Sequence, residues 1–241
     1  MPACIVANAG GGINPEGAIA RLARLPAMND LIQTLAVYAI PVLFAITLHE
    51  AAHGYVARMF GDHTAAIAGR ITLNPLRHID PIGTIAVPLG ILLLSSLGGG
   101  GFLFGWAKPV PVNFGNLRRP KQQMVWVAAA GPGANIAMAI GWALVLNLLA
   151  ALGVDEPFFM KMATAGIMVN IGLMALNLLP IPPLDGGRIL TGLLPARLAW
   201  RFARIEPYGL FIVIGLMATQ TLGFFLQPFY RVGIALVRLF V

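Results

Sequence analysis

Charged positions along this chain are far apart, and the stretches between them are apolar. No Asp, Glu, Lys or Arg occurs in the 19 residues between Asp30 and Glu50, the 27 between Asp80 and Lys108, or the 33 between Lys121 and Asp155. The 23 residues between Lys161 and Asp185 and the 24 between Glu206 and Arg231 are equally bare. A helix needs about 20 apolar residues to cross a bilayer, so five segments are long enough. Runs such as 136–152 show no period-two alternation, which selects helices over barrel strands. The pattern predicts an all-α polytopic membrane protein with about four to six transmembrane helices. The run 81–107 carries four consecutive glycines from Gly98 to Gly101, a break that lets it enter the membrane and return as a re-entrant segment.

Two connecting stretches fit neither a helix nor disorder. Gly69-Arg-Ile-Thr-Leu-Asn-Pro75 ends on an Asn-Pro turn signal. Gly105 to Asn113 alternates Pro and Val around Lys108 to Val112, which forbids a helix and favours extended chain at a sheet edge. Each is either a structured surface loop or a short membrane-associated β-strand that pairs with a substrate. Residues 1–30 form an N-terminal extension with Gly10, Gly11, Gly12, Asn14 and Pro15. It lacks a basic leader before an apolar core, so it is not read as a signal peptide. Residues 31–241 are expected to make one domain.

Composition narrows the function classes. Apolar residues make up 58% of the 241 and charged ones 10%, against about 25% charged in soluble domains. Disorder is excluded, because it needs low hydrophobicity and high charge. The lone Cys4 excludes a disulfide framework. A net charge of +7 does not make a nucleic-acid binder, since no polar face carries clustered Lys and Arg with aromatics.

The first long run ends in His49-Glu50-Ala51-Ala52-His53. On a helix, positions four apart share a face, so both imidazoles can grip one metal ion while Glu50 reaches the metal's water. This is the HExxH spacing of zinc hydrolases. Ionisable residues next to a charge-free membrane run are costly and mark function. A catalytic zinc takes three protein ligands and leaves a fourth position open. His63, His78, Asp62 and Asp80 lie in the polar loop that follows and read as solvated. Asp185 instead follows 23 uncharged residues, and a lone carboxylate there needs a cation or metal partner. Pro180, Pro182 and Pro183 break the helix just before it. Asp185 is the third candidate ligand; an Asp185–Arg188 pair or a helix N-cap is the competing reading.

Other protease chemistries fare worse. The serines are Ser95 and Ser96, with no activating histidine in their run. An aspartyl mechanism needs two carboxylates sharing a site, and Asp185 has no second intramembrane aspartate.

These residues resemble the site-2 protease family of intramembrane zinc metalloproteases, in the small prokaryotic form without a PDZ domain. The likeness runs from about Ile40 to Leu194 through His49–His53, Gly69–Pro75, His78–Gly83, Gly105–Asn113, Ala130–Asn135 and Asn177–Arg188. It implies one zinc ion held by His49, His53 and Asp185, with Glu50 as catalytic base and Asn177 as the family's active-site asparagine. The implied reaction is hydrolysis of peptide bonds in or near transmembrane segments of membrane protein substrates, as in regulated intramembrane proteolysis. Asn177 would serve the developing oxyanion; Asn135 is a second candidate for that role, or a helix-packing residue. The contrary reading is a non-catalytic membrane metal-binding protein, a chaperone or transporter. A transporter needs polar groups along several spans, whereas here they concentrate at one place. Loops 58–80, 108–121 and 186–206 hold most of the Lys and Arg, so the positive-inside rule places them in the cytoplasm of a cell with the protein in its inner (plasma) membrane.

Overall fold

The computed structural model describes residues 28–86, 90 and 108–240. Helix α1 spans Met28–Met59 and stops at Gly61, whose φ of +109° is left-handed and favours glycine. A single turn, α2 (Thr64–Ile67), follows. Asn74 caps a 3-10 turn over Pro75–Arg77 by accepting the Leu76 N–H. Asp80 accepts the Ile82 and Gly83 N–H groups at the start of the next turn. Helices α3 (Pro120–Ala151) and α4 (Pro157–Asn177) both open on proline, which is preorganised for a first turn and has no N–H to leave unpaired. Then come α5 (Asp185–Leu193), α6 (Ala196–Ala203), α7 (Gly209–Ala218) and α8 (Leu222–Val237).

Helices α1, α3 and α4 are long and apolar enough to cross a membrane. The stretch from α6 through α8 adds up to one more span, but bends by 96°. The described residues thus carry three to four candidate spans, fewer than the charge-free runs alone suggest. The run 207–230 divides because Thr219 turns its hydroxyl onto the Gly215 carbonyl and Gln220 adopts a left-handed φ of +57°. The expected re-entrant run falls mostly on 87–89 and 91–107, outside the described residues, as do residues 1–27.

Helices α1, α3 and α4 pack on one another, and α8 lies across α3 and α4. Their core joins Ala139 and Ala143 of α3 to Ile171 and Met174 of α4 and Val237 of α8, with Tyr230 and Ile234 against it. In lipid, helices associate through close packing of small residues rather than hydrophobic exclusion, and the alanines on α3 provide that surface. The tail beyond Arg231 therefore packs against the bundle, and Asn147 donates to the Phe240 carbonyl at 2.8 Å.

No β-strand occurs among the described residues, which corrects the expectation for 69–75 and for the described part of 107–113. The reason is visible in 108–113, where side chains take the backbone donors. The Val110 N–H donates to Glu50 Oε2 and the Asn113 N–H to Asp62 Oδ2, both at 2.7 Å. Arg70 Nη2 donates to the Lys108 carbonyl at 2.8 Å, and the Lys108 N–H donates to the His78 carbonyl at 2.9 Å. A second cluster of Ala57, Leu117 and Val127 packs under Val112 and Phe114.

Asp62 and His78 are buried, against the expectation of a solvated loop, while His63 is exposed. Asp62 accepts from the Thr64 N–H and hydroxyl, from Asn116 Nδ2 and from the Asn113 N–H. Burial pushes its carboxyl up, but the bonds from Thr64, Asn116 and Asn113 outweigh burial and hold it below the ordinary 3.8. A depressed folded-state value stabilises above the unfolded value and fades as the pH falls past it. The Asp62 contribution should therefore be complete at neutral pH and drop only in acid below pH 3.8. Asp62→Ala should cost roughly 2–3 kcal/mol by stranding buried donors, read as a lower thermal unfolding midpoint at pH 7 and a smaller difference from wild type in acid.

Candidate metal centre

Helix α1 presents His49 and His53 one turn apart, as the four-residue spacing requires, with ring centroids 4.7 Å apart and nearly perpendicular. Their Nε2 atoms are 3.1 Å apart. Asp185 completes the group: its Oδ2 lies 3.2 Å from His49 Nε2 and 3.4 Å from His53 Nε2. One ligand atom from each of the three residues lies within 4.8 Å of the others. Sequence reasoning chose these same three residues, and the chain brings them together from positions more than 130 apart.

Asp185 arrives by a tight reversal. Helix α4 ends at Asn177, the three prolines occupy the turn, and α5 begins at Asp185 itself. Gly186 and Gly187 press onto the backbone of Leu178, Leu179, Ile181 and Pro182 so closely that a Cβ on either would overlap it. Glycine at both positions is what lets α5 fold back. Leu184, not Asp185, holds the N-cap position of α5, and Arg188 lies over the Phe114 ring at 5.7 Å. Neither competing reading of Asp185 describes its surroundings.

The second nitrogen of each imidazole fixes the first. His53 Nδ1–H donates to the Val127 carbonyl at 2.7 Å, and a carbonyl only accepts. His49 Nδ1–H donates to Asn135 Oδ1 at 2.6 Å. In the neutral rings both Nε2 atoms are then bare lone pairs. Asp185 Oδ2 is buried without a hydrogen-bond partner. With both rings neutral, three acceptor atoms thus face one point, an arrangement that is costly in an apolar setting without a cation. Gly131 of α3 backs the cluster, since a Cβ there would sit 2.5 Å from His53 Nε2 and 2.6 Å from His49 Nε2.

Glu50 is half-buried beside the group, with its Oε2 held by the Val110 N–H. Asn177 Nδ2 donates to the Leu173 carbonyl of its own helix at 3.0 Å. Asn135 has no hydrogen left for an oxyanion, because Nδ2 serves both the Ala45 carbonyl at 3.3 Å and Asn170 Oδ1 at 3.0 Å. Sequence reasoning missed Asn170. The available signal was a neutral polar residue inside a charge-free run.

Comparison with known proteins agrees with this geometry. Residues 154–219 match the model of peptidase family M50. The chain is 36% identical over 203 residues to YwhC of Bacillus subtilis, covering 80% of this chain and 85% of that protein. The chain belongs to the M50 family of site-2 proteases. Rip2 of Mycolicibacterium smegmatis is 34% identical over 183 residues (75% of this chain, 66% of that protein) and Rip2 of Mycobacterium tuberculosis is 32% identical over 193 (78% and 69%). All three relatives carry zinc-metalloprotease names. No solved structure matches. This M50 peptidase is a zinc-dependent intramembrane protease, and its donor set fits the ion: two imidazole nitrogens and one carboxylate oxygen match the three-ligand pattern of catalytic zinc.

Gly131→Ala should push a methyl into the space between the imidazoles. Zinc affinity should fall by at least about tenfold, the scale of disturbed ligand shells, without loss of the helical circular-dichroism signal. Chelator competition on purified protein measures it.

Proposed function

We propose that this protease cleaves peptide bonds in or near transmembrane segments of membrane proteins, with His49, His53 and Asp185 holding one zinc ion and Glu50 serving as catalytic base. The observation that carries this reading is the convergence of three ligand atoms beside a carboxylate toward the C-terminal end of α1. A zinc ion held by His49, His53 and Asp185 would supply a water of pKa near ~7 and a Lewis acid for the scissile carbonyl. Glu50 takes the proton from the attacking water and can return it to the leaving amine. The Val110 N–H, donated to Oε2, holds the carboxylate while leaving Oε1 to handle that proton. Asn177 is the asparagine with an amide hydrogen still available for the developing oxyanion, since its recorded bond uses one. Glu50→Gln should retain zinc and lose about 10²- to 10⁴-fold in cleavage rate, the range of general acid–base contributions. Retained cleavage would remove Glu50 from its role.

A substrate helix hides its peptide bonds in its own hydrogen bonds and must unwind to be cut. A groove of about 470 Å³ runs between Ala51 and Ala52 of α1, the Ile71–Leu73 segment, and Ala134 and Ala137 of α3. Among the described residues the N–H groups of Ile71, Thr72 and Leu73 have no recorded partner. Backbone pairing along this edge would capture an unwound, apolar substrate segment. Among the described residues the candidate spans between the histidines and Asp185 are α3 and α4, and two crossings would keep the ligand-bearing ends on one side. The run 81–107 is proposed to return to the side it leaves, supported by the bond between its flanking residues His78 and Lys108. That side carries the basic loops and is proposed to be cytoplasmic in an inner-membrane protein.

Thr72→Pro removes one edge donor outside the ligand set. Cleavage of a helical membrane substrate should fall at least about tenfold with zinc content intact; unchanged cleavage would leave this edge without a pairing role.

A further inference from the structure

Two asparagines, Asn135 on α3 and Asn170 on α4, are completely buried in helices apolar enough to span a membrane. Polar side chains at such depth are expensive and mark function. Their hydrogen bonds form one directed chain. Asn170 Nδ2 donates to the Gly166 carbonyl at 2.8 Å, a group that only accepts. That fixes the amide so that Asn170 Oδ1 faces Asn135 and accepts from its Nδ2 at 3.0 Å. The same bond, with a second donation to the Ala45 carbonyl, fixes Asn135 so that its Oδ1 faces His49. His49 Nδ1 must therefore carry hydrogen, at 2.6 Å, which makes Nε2 the lone-pair nitrogen of the neutral ring, facing Asp185 and His53. Reversing either amide would set N–H against N–H or oxygen against oxygen along the line.

From this geometry we infer that Asn170 is a positioning residue for the metal: acting through Asn135, it sets the hydrogen on His49 so that Nε2 is presented to the ion. The inference rests on the proposed role of His49 as a ligand. It assigns a function to a residue that touches neither metal nor substrate. The direction of the chain is set by a backbone carbonyl of α4, so the helix itself is the fixed reference. His53 needs no such relay, because its Nδ1 meets a backbone carbonyl directly.

The test is zinc affinity of purified full-length protein, measured by chelator competition. Asn170→Leu keeps the volume in an apolar setting and should fold, yet should weaken zinc by about 10- to 100-fold, the usual effect of losing an outer-shell partner. Asn170→Asp, neutral at this depth, offers an O–H to Gly166 and a carbonyl to Asn135, and should restore affinity to within about threefold of wild type. Asn135→Leu should weaken zinc as Asn170→Leu does, and the double variant should be no weaker than Asn135→Leu alone, because the two act in series. Wild-type affinity in Asn170→Leu, or losses that multiply in the double variant, would overturn the inference. His49→Ala separates the two levels: loss of zinc there with none in Asn170→Leu sinks only the relay, whereas unchanged zinc in His49→Ala sinks the ligand assignment beneath it.

Discussion

Three proton-free acceptors held 3.1–3.4 Å apart are the constraint around which this molecule is organised. Two imidazole lone pairs and a carboxylate oxygen at that separation repel one another, and the surrounding apolar medium strengthens the repulsion. A divalent cation at their common focus attracts all three, and that attraction outweighs the repulsion among them. The fold has to hold the group rigidly enough that the ion finds it assembled, and the rest of the bundle reads as the means of doing so.

Helix α3 supplies most of that rigidity from a single stripe. Val127, Gly131 and Asn135 are spaced four apart and so share one face. The Val127 carbonyl orients His53, bare backbone at Gly131 gives both rings room, and the Asn135 amide orients His49. One helix face thus provides an acceptor, a space and a second acceptor in successive turns. Because hydrophobic exclusion does little between helices in lipid, the Asn135–Asn170 bond also ties α3 to α4. The bonds that glue the bundle are the bonds that orient a ligand.

What the sequence disclosed follows from which signals are local. His49, Glu50 and His53 were readable because helical periodicity alone puts them on one face, and Asp185 because a carboxylate at the end of a long uncharged run has to be compensated. Asn135 and Asn170 carry no charge, so runs defined by charge pass over them. Their meaning lies in contacts across 35 and 86 positions, which no local pattern encodes. The burial of Asp62 and His78 escaped notice for a related reason: a polar loop looks solvated until a distant segment, 108–116, closes over it. The bend within 207–230 turns on a left-handed Gln220, a conformation that hydropathy does not register.

The strands expected at 69–75 and 105–113, absent among the described residues, bear on function. Segments 69–75 and 105–113 looked alike in sequence, both extended and both near the motif, and either could have been the edge that meets a substrate. The structure separates them by where their donors go. Glu50 and Asp62 take the Val110 and Asn113 N–H groups, so pairing a peptide with 108–113 would first have to pull a backbone donor off the carboxylate proposed to handle the proton. Ile71 to Leu73 keeps its N–H groups uncommitted among the described residues, and of its carbonyls the one on Thr72 is taken by His78 Nε2 at 3.1 Å. Arg70, immediately before that edge, donates instead to the carbonyl of Lys108, linking the open edge to the committed segment.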